Sequence, residues 1–207
     1  MATPQEPPAV QTREEEILST ALDIFFAQGY RAAPLRDLAS TLGINVATLY
    51  HYFESKDEIL FRLQYEGLGR LLTGAQAALA TTAEGSPEER MRALIRAHFR
   101  YHTEHYKIAR LHFAEYRSLE PASRALVRER MKEYERLFTS LVAEGVASGH
   151  FCTAAPKITA FAILGAGSQI SYWYRPDGDL SPDEIVDIVT SLVMDGLTAR
   201  ASPKIST

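Results

Sequence analysis

At 207 residues, 46% of them hydrophobic, the chain can bury a real core, and one small domain plus one larger one fits its length. Lys and Arg number 22 against 26 Asp and Glu, a net charge of -4, so no broad positive field is available for holding a polyanion. Cys152 is the sole cysteine, which excludes an intrachain disulfide and a Cys-rich zinc motif; the apolar stretch 158–170 is too short and too broken by glycine and polar residues to span a bilayer, and the first residues lack a basic-then-apolar signal pattern, so a cytoplasmic location is expected.

Residues 1–11 are polar and rich in Pro and Ala without apolar periodicity, and read as a disordered arm; 201–207 read as a flexible tail. Between them the pattern is helical throughout. Four helix starts carry Ser or Thr followed three residues later by Glu: Thr12/Glu15, Ser55/Glu58, Ser86/Glu89 and Ser181/Glu184. In that spacing each side chain satisfies a backbone N–H that the first helical turn leaves unpaired. The first helix is predicted over 12–28, with Ile17, Leu18, Ala21, Leu22 and Phe25 as its apolar stripe and Gly29 as its stop. A short helix from Leu35 ends at Gly43, a third runs from Val46 to about Phe53 with Asn45 as its cap, and a long fourth reaches from Ser55 to about Ala80. Further helices are predicted near 87–105, 107–119, 121–148, 156–175 and 181–199, and no stretch alternates with period two for long enough to make a sheet.

The segment 35–53 has the form helix, tight glycine turn, helix. Ala39 lets the two helices approach, Gly43 supplies the turn, and Leu49 packs the second helix back on the first. The second helix then exposes Asn45, Val46, Ala47, Tyr50 and His51, the positions from which major-groove readers reach bases and phosphates. Lys56 and the free N–H groups at the start of the next helix form a candidate phosphate clamp. The first 60 residues are themselves acidic: Arg13, Arg31, Arg36 and Lys56 face nine carboxylates, so affinity for DNA has to come from a few placed contacts.

These residues resemble the TetR family of one-component bacterial regulators, through Gly29-Tyr30, Leu35-Arg-Asp-Leu-Ala and Thr48-Leu-Tyr-His-Tyr-Phe-Glu-Ser-Lys-Asp-Glu-Ile-Leu. The resemblance implies that Arg36 reaches a base or phosphate, that Asn45, Val46 and Ala47 face bases, that Thr48, Tyr50 and His51 touch the DNA backbone, and that Lys56 anchors a phosphate. Val46 and Ala47 carry no hydrogen-bonding side chains, so any readout there is apolar contact with thymine methyls. Relatives commonly place hydroxyl residues just before the second helix, where this chain has Ala33-Pro34 and so lacks two possible phosphate donors.

In the fifth helix Met91, Leu94, Ile95 and Phe99 share a stripe with His98 and His102, and His112, Glu115 and Tyr116 follow on the next helix. A mostly apolar cavity with a few polar groups is one reading. Core histidines with satisfied hydrogen bonds are another, and a shared metal ion at the i,i+4 pair is a third, for which no carboxylate or further histidine stands in register. No metal or cofactor is expected. Nor is an enzyme: there is no phosphate loop or nucleophile elbow, and Gly165-Ala-Gly167 lies inside an apolar helix, where close helix packing explains it.

Ile185, Val186, Ile188, Val189, Leu192, Val193 and Leu197 cover more than one face of the last helix, and Ala162, Gly165, Ala166 and Ser168 give the helix before it a small-residue surface. A helix apolar on both faces needs two partners. The family resemblance implies that these two helices form a four-helix interface with a second copy, a homodimer that presents paired recognition helices to a palindromic double-stranded DNA operator. The segment from Ser171 to Pro182, with Tyr172-Trp173-Tyr174, also resembles a branch of these regulators that controls lipid or steroid catabolism and senses acyl-CoA thioesters. A drug-like or aromatic inducer is the rival effector. The candidate ligand contacts are His98, His102, His112, Tyr116 and Trp173. The expected architecture is all-α with about nine helices: a helix-turn-helix DNA-binding domain over 12–55 and a helical ligand-binding and dimerisation domain over 56–200. The expected action is repression relieved by a small molecule that shifts the long fourth helix.

Overall fold

A computed structural model describes residues 12–198, and the predicted arm and tail lie outside them. Among the described residues the chain is all helical: α1 (Arg13–Gln28), α2 (Leu35–Thr41), α3 (Val46–Tyr52), α4 (Lys56–Thr81), α5 (Pro87–Glu104), α6 (Tyr106–Glu115), a 3-10 turn (Tyr116–Ser118), α7 (Pro121–Ala147), α8 (Pro156–Trp173) and α9 (Pro182–Thr198). The predicted caps form. Thr12 and Ser86 make reciprocal capping boxes with Glu15 and Glu89, and Ser181 exchanges bonds with Glu184 in the same way. At Ser55 only half the box closes as expected: its hydroxyl accepts the Glu58 N–H at 3.0 Å, while the Glu58 carboxylate takes the N–H of Glu54.

Two boundaries differ from the sequence reading. The helix predicted over 107–119 breaks at Glu115 and tightens into the 3-10 turn, because the chain must bury Leu119 and then run extended through Glu120 into Pro121. The helix predicted to 175 stops at Trp173, since Pro176 bars Arg175 from helical geometry and Tyr174 is already extended.

The chain divides into two compact units between Leu63 and Gln64, inside α4 and not at its start. In the first unit, Ile17, Ala21 and Phe25 of α1, Leu38 and Ala39 of α2, Leu49 of α3 and Ile59, Leu60 and Leu63 of α4 form one core. The first turns of α4 therefore belong to the small domain: without their apolar side chains α1 to α3 would leave one face uncovered. Arg62 ties the same segment to Glu14 at 3.3 Å.

In the second unit α5 is central and packs against α7, α8 and α9. Its stripe of Met91, Leu94, Ile95 and Phe99 is fully buried, and Phe99 and Phe138 are the largest buried side chains, each contributing roughly 1.5–3 kcal/mol by removal from water. Arg96 and Arg100 pair with Asp187 and Asp183, fastening the solvent side of α5 to α9. His98 and His102 fall on the buried side of the same helix, which is what brings them to the site described next.

Candidate functional site

In the first unit the glycine turn forms as the spacing requires. Gly43 has φ of 66°, a conformation that costs a side chain dearly, and the Ile44 N–H donates to the Ala39 carbonyl at 3.0 Å. Asn45 caps α3: its Oδ1 accepts the Thr48 N–H at 2.7 Å and the Thr48 hydroxyl at 2.9 Å. The hydroxyl proton of Thr48 is thus committed, and the Nδ2 donors of Asn45 remain for another partner. Arg36 is 82% exposed, with Nε 3.5 Å from Asp37, and Tyr50 is 54% exposed beside exposed Ala47 and His51; Val46 is half-buried. Arg36 on α2 and Asn45, Ala47, Tyr50 and His51 at and on α3 are thus all exposed.

Lys56 sits differently from the free phosphate clamp expected of it. Its ammonium donates to the Tyr30 carbonyl and lies 4.5 Å from the centroid of the Tyr30 ring and 5.6 Å from that of Phe25. Those rings meet edge to face at 5.2 Å, and the Tyr30 hydroxyl donates to Asp57. The carbonyl freed where α1 ends, together with two aromatic faces, draws the cation inward.

In the second unit α4, α5, α6, α7 and α8 line a cavity of about 290 Å³. Leu68, Leu71, Ile108, Phe113, Phe161 and Leu164 make most of its wall apolar. His98, His102 and His112 all line it. His98 is fully satisfied: Nδ1 stands 2.9 Å from the Tyr134 hydroxyl and Nε2 3.2 Å from the Leu164 carbonyl. Since a carbonyl can only accept, the proton is on Nε2, and Nδ1 accepts from Tyr134. His102 and His112 are buried, yet among the described residues neither Nδ1 has a partner, and both side-chain polar atoms of buried Gln64 are equally unpaired there. Polar atoms left so cost about 1–3 kcal/mol each, a penalty that a ligand bonding them removes.

Burial keeps these imidazoles neutral. It pushes His98 down to about 4 in spite of the Leu164 carbonyl, and His112 also to about 4. Burial, helped by repulsion from His98 and His112, holds His102 well below its usual 6.5. Tyr101, whose hydroxyl donates to the Gly67 carbonyl at 2.9 Å, is raised by burial to about 12 and stays protonated. At neutral pH the cavity therefore offers neutral donors and acceptors and no buried cation. Glu135, the carboxylate among its lining side chains, is half-buried.

Of the five predicted ligand contacts, the three histidines converge on the cavity and two residues do not. Tyr116 falls in the 3-10 turn and lines a neighbouring cleft, with its ring 5.8 Å from that of His112. Trp173 is 52% exposed at the end of α8, whose buried face is carried by Ile163, Gly167 and Ile170. The α8 residues that line the cavity are Phe161, Leu164, Gly165 and Ser168, and Trp173 is not among them. Gln64 and Tyr134 were missed, since a lone polar residue on a long amphipathic helix carries no sign of burial. No group of three or more His, Cys, Asp or Glu able to hold a metal occurs among the described residues, and no helix there is long and apolar enough to cross a membrane.

The family model for the "Tetracyclin repressor-like, C-terminal domain" matches residues 84–197, and that for "Bacterial regulatory proteins, tetR family" matches residues 17–63. The HTH-type transcriptional repressor KstR2 of Mycolicibacterium smegmatis is 27% identical over 203 residues, covering 97% of this chain and 98% of the relative. The structure of the ketosteroid transcriptional regulator KstR2 of Mycobacterium tuberculosis is similar with a TM-score of 0.85 at 25% identity, over 95% of this chain and 100% of that one. PfmR from Thermus thermophilus gives 0.80 at 30% identity, over 88% and 99%. AibR, solved in complex with isovaleryl coenzyme A and operator DNA, gives 0.77 at 25%, over 87% and 97%. The first unit supplies the glycine-turned helix pair and the second the apolar cavity, and the chain belongs to the TetR family of helix-turn-helix transcriptional regulators, which are DNA-binding proteins and not enzymes.

Proposed function

We propose that this regulator is a cytoplasmic homodimeric repressor, released from a palindromic operator when the acyl group of an acyl-CoA thioester of lipid catabolism enters the cavity in the second unit. The observation that carries the reading is the set of neutral, unpartnered polar atoms on Gln64, His102 and His112 inside an apolar chamber. A thioester carbonyl is a neutral acceptor and suits them. A free carboxylate would require an imidazolium that burial disfavours. A chamber of about 290 Å³ is at the small end of ligand sites and fits an acyl group with the nucleotide left outside. The likeness to AibR, solved with isovaleryl coenzyme A, supports the same choice. A drug-like or aromatic inducer is the second reading, favoured by the rings of Tyr101, Phe113, Tyr134 and Phe161 around the cavity.

Ile158 of α8 and Ile188 and Leu192 of α9 are exposed, Leu192 at 70%, and support dimerisation through these two helices. Arg36, Asn45, Val46, Ala47, Tyr50 and His51 are the side chains we assign to the operator, with Thr48 and Lys56 holding the turn and contacting phosphate. Helix α4 carries residues of both units, so a ligand that repositions it changes the spacing of the two recognition helices. Titrating the protein bound to fluorescent DNA from its own promoter with isovaleryl-CoA, octanoyl-CoA and the matching free acids tests the reading. Release by a thioester and not by the acid is expected; release by aromatic compounds alone would favour the second reading, and undiminished DNA binding under ligand saturation would sink the mechanism.

A further inference from the structure

Beside the cavity lies a second depression of about 540 Å³, lined by Tyr116 and Arg117 of the 3-10 turn and by Arg124, Arg128 and Lys132 of α7. Met131 and Glu135 line both spaces, so the basic cleft and the apolar chamber meet along one edge of α7. Arg124, Arg128 and Lys132 recur at every fourth residue and share one helix face. Lys132 is paired with Glu129 at 2.7 Å, and the field of Arg128 also reaches Glu129. Arg117 and Arg124 have no ion-pair partner among the described residues. In a protein of net charge -4, three guanidiniums gathered in one cleft repel one another, and that repulsion is relieved by an anion.

We infer that this cleft holds the phosphates of the coenzyme A head group while the acyl chain occupies the adjoining chamber, which makes the effector site bipartite. The inference rests on the acyl-CoA reading given above and adds the part of the ligand that the chamber leaves outside. Guanidinium forks match phosphate oxygens two bonds at a time, and the several phosphates of coenzyme A can engage more than one fork at once, whereas a free fatty acid offers one carboxylate and a steroid no anion. Glu135 stands at the junction of the two spaces, where the linker of the ligand is uncharged and offers amide N–H donors. A carboxylate suits that position and would be repelled from the phosphates themselves.

The test compares octanoyl-CoA with octanoyl N-acetylcysteamine, a thioester of the same acyl group without phosphates, by calorimetry on the full chain. The CoA thioester should bind tighter by about tenfold or more at low salt, as expected for several charge-assisted phosphate contacts, and that advantage should shrink as salt rises. In the double variant Arg124→Glu/Arg128→Glu the advantage should vanish while the affinity for the truncated thioester is kept, and Arg124→Lys/Arg128→Lys should retain part of it. Equal binding of the two thioesters to the unaltered protein, or an advantage insensitive to salt, overturns the cleft assignment even if the charge-reversed variant fails to fold. Binding of neither thioester overturns the acyl-CoA reading itself.

Discussion

Gly167 of α8 lies flush against the imidazole of His98: a β-carbon at position 167 would collide with Nε2. The missing side chain is what lets α5 and α8 close on the ring and align Nε2 with the Leu164 carbonyl. Gly167→Ala should therefore destabilise the protein by roughly 1–3 kcal/mol, the usual cost of overpacking a core, and weaken ligand binding by displacing His98 into the cavity. Gly74→Ala in α4 is the contrasting change. A β-carbon there meets nothing within 4 Å, and the gain in helix propensity should stabilise by about 0.5–1 kcal/mol. Urea unfolding of the two variants should give opposite signs; equal signs would mean that His98 is not wedged as described.

Tyr134 gives His98 its second bond, and because Nδ1 accepts, the phenol cannot be removed without leaving a buried nitrogen lone pair unmet. Tyr134→Phe should cost about 1–3 kcal/mol although it deletes a single oxygen. The Leu164 carbonyl should still hold the proton on Nε2 in the variant, and histidine nitrogen chemical shifts should register the lost hydrogen bond at Nδ1. An unfolding midpoint unchanged from the parent would show that water replaces the phenol at no cost.

The three cavity histidines give the fold a one-sided dependence on pH. In the unfolded chain each imidazole protonates near its usual 6.5, whereas in the folded chain His98 and His112 do so only near 4 and His102 is held well below 6.5. Between those values the unfolded state binds more protons, so stability is unaffected above about pH 6.5, falls as the pH drops below it, and levels off below the folded values. The slope approaches about 1.4 kcal/mol per pH unit for each histidine. Denaturant midpoints measured from neutrality down to about pH 4.5 should show the decline, and His112→Asn should flatten it by one group's share. A protein equally stable across that range would mean that these rings are wetter than their burial indicates.

The architecture was readable because its signals are local. Capping boxes at Thr12, Ser86 and Ser181, and the Gly43 turn, act within four residues of themselves, and each appears where the spacing places it. The direction of a side chain inside the second unit depends on helices far apart in sequence. His98 and His102 could be read inward because they share a stripe with Met91, Leu94 and Ile95. Gln64 could not, since it stands next to Tyr65 and Glu66, and the cavity it lines is completed by residues distant in sequence. Trp173 was grouped with the ligand contacts for its chemistry, and it stands half-exposed at the end of α8, apart from the α8 residues that line the cavity. The basic row of Arg124, Arg128 and Lys132 was visible as a period of four, but nothing in the sequence marks it as the neighbour of a cavity.

The same contrast between chemistry and placement separates Arg36 from Lys56, two cations expected to serve one function. Arg36 is held only by a loose contact with Asp37 and is largely exposed, so Arg36→Ala should leave the melting temperature unchanged. It should weaken operator binding by about tenfold and, where the contact is to phosphate, reduce the salt slope of the affinity by about one. Lys56 spends one donor on the Tyr30 carbonyl and packs its charge on two rings, so Lys56→Met should destabilise the protein by about 1 kcal/mol before any DNA is added. Operator affinity should fall as well, in part because the start of α4 is no longer pinned to the end of α1. Thermal melts paired with DNA titrations at several salt concentrations separate the two effects. Should Lys56→Met melt like the parent while losing salt-dependent binding, the cation works as a free clamp and its bond to Tyr30 is incidental; should it melt lower with an unchanged salt slope, it is a strut of the small domain and the DNA contact belongs to Arg36 and its neighbours on the exposed face.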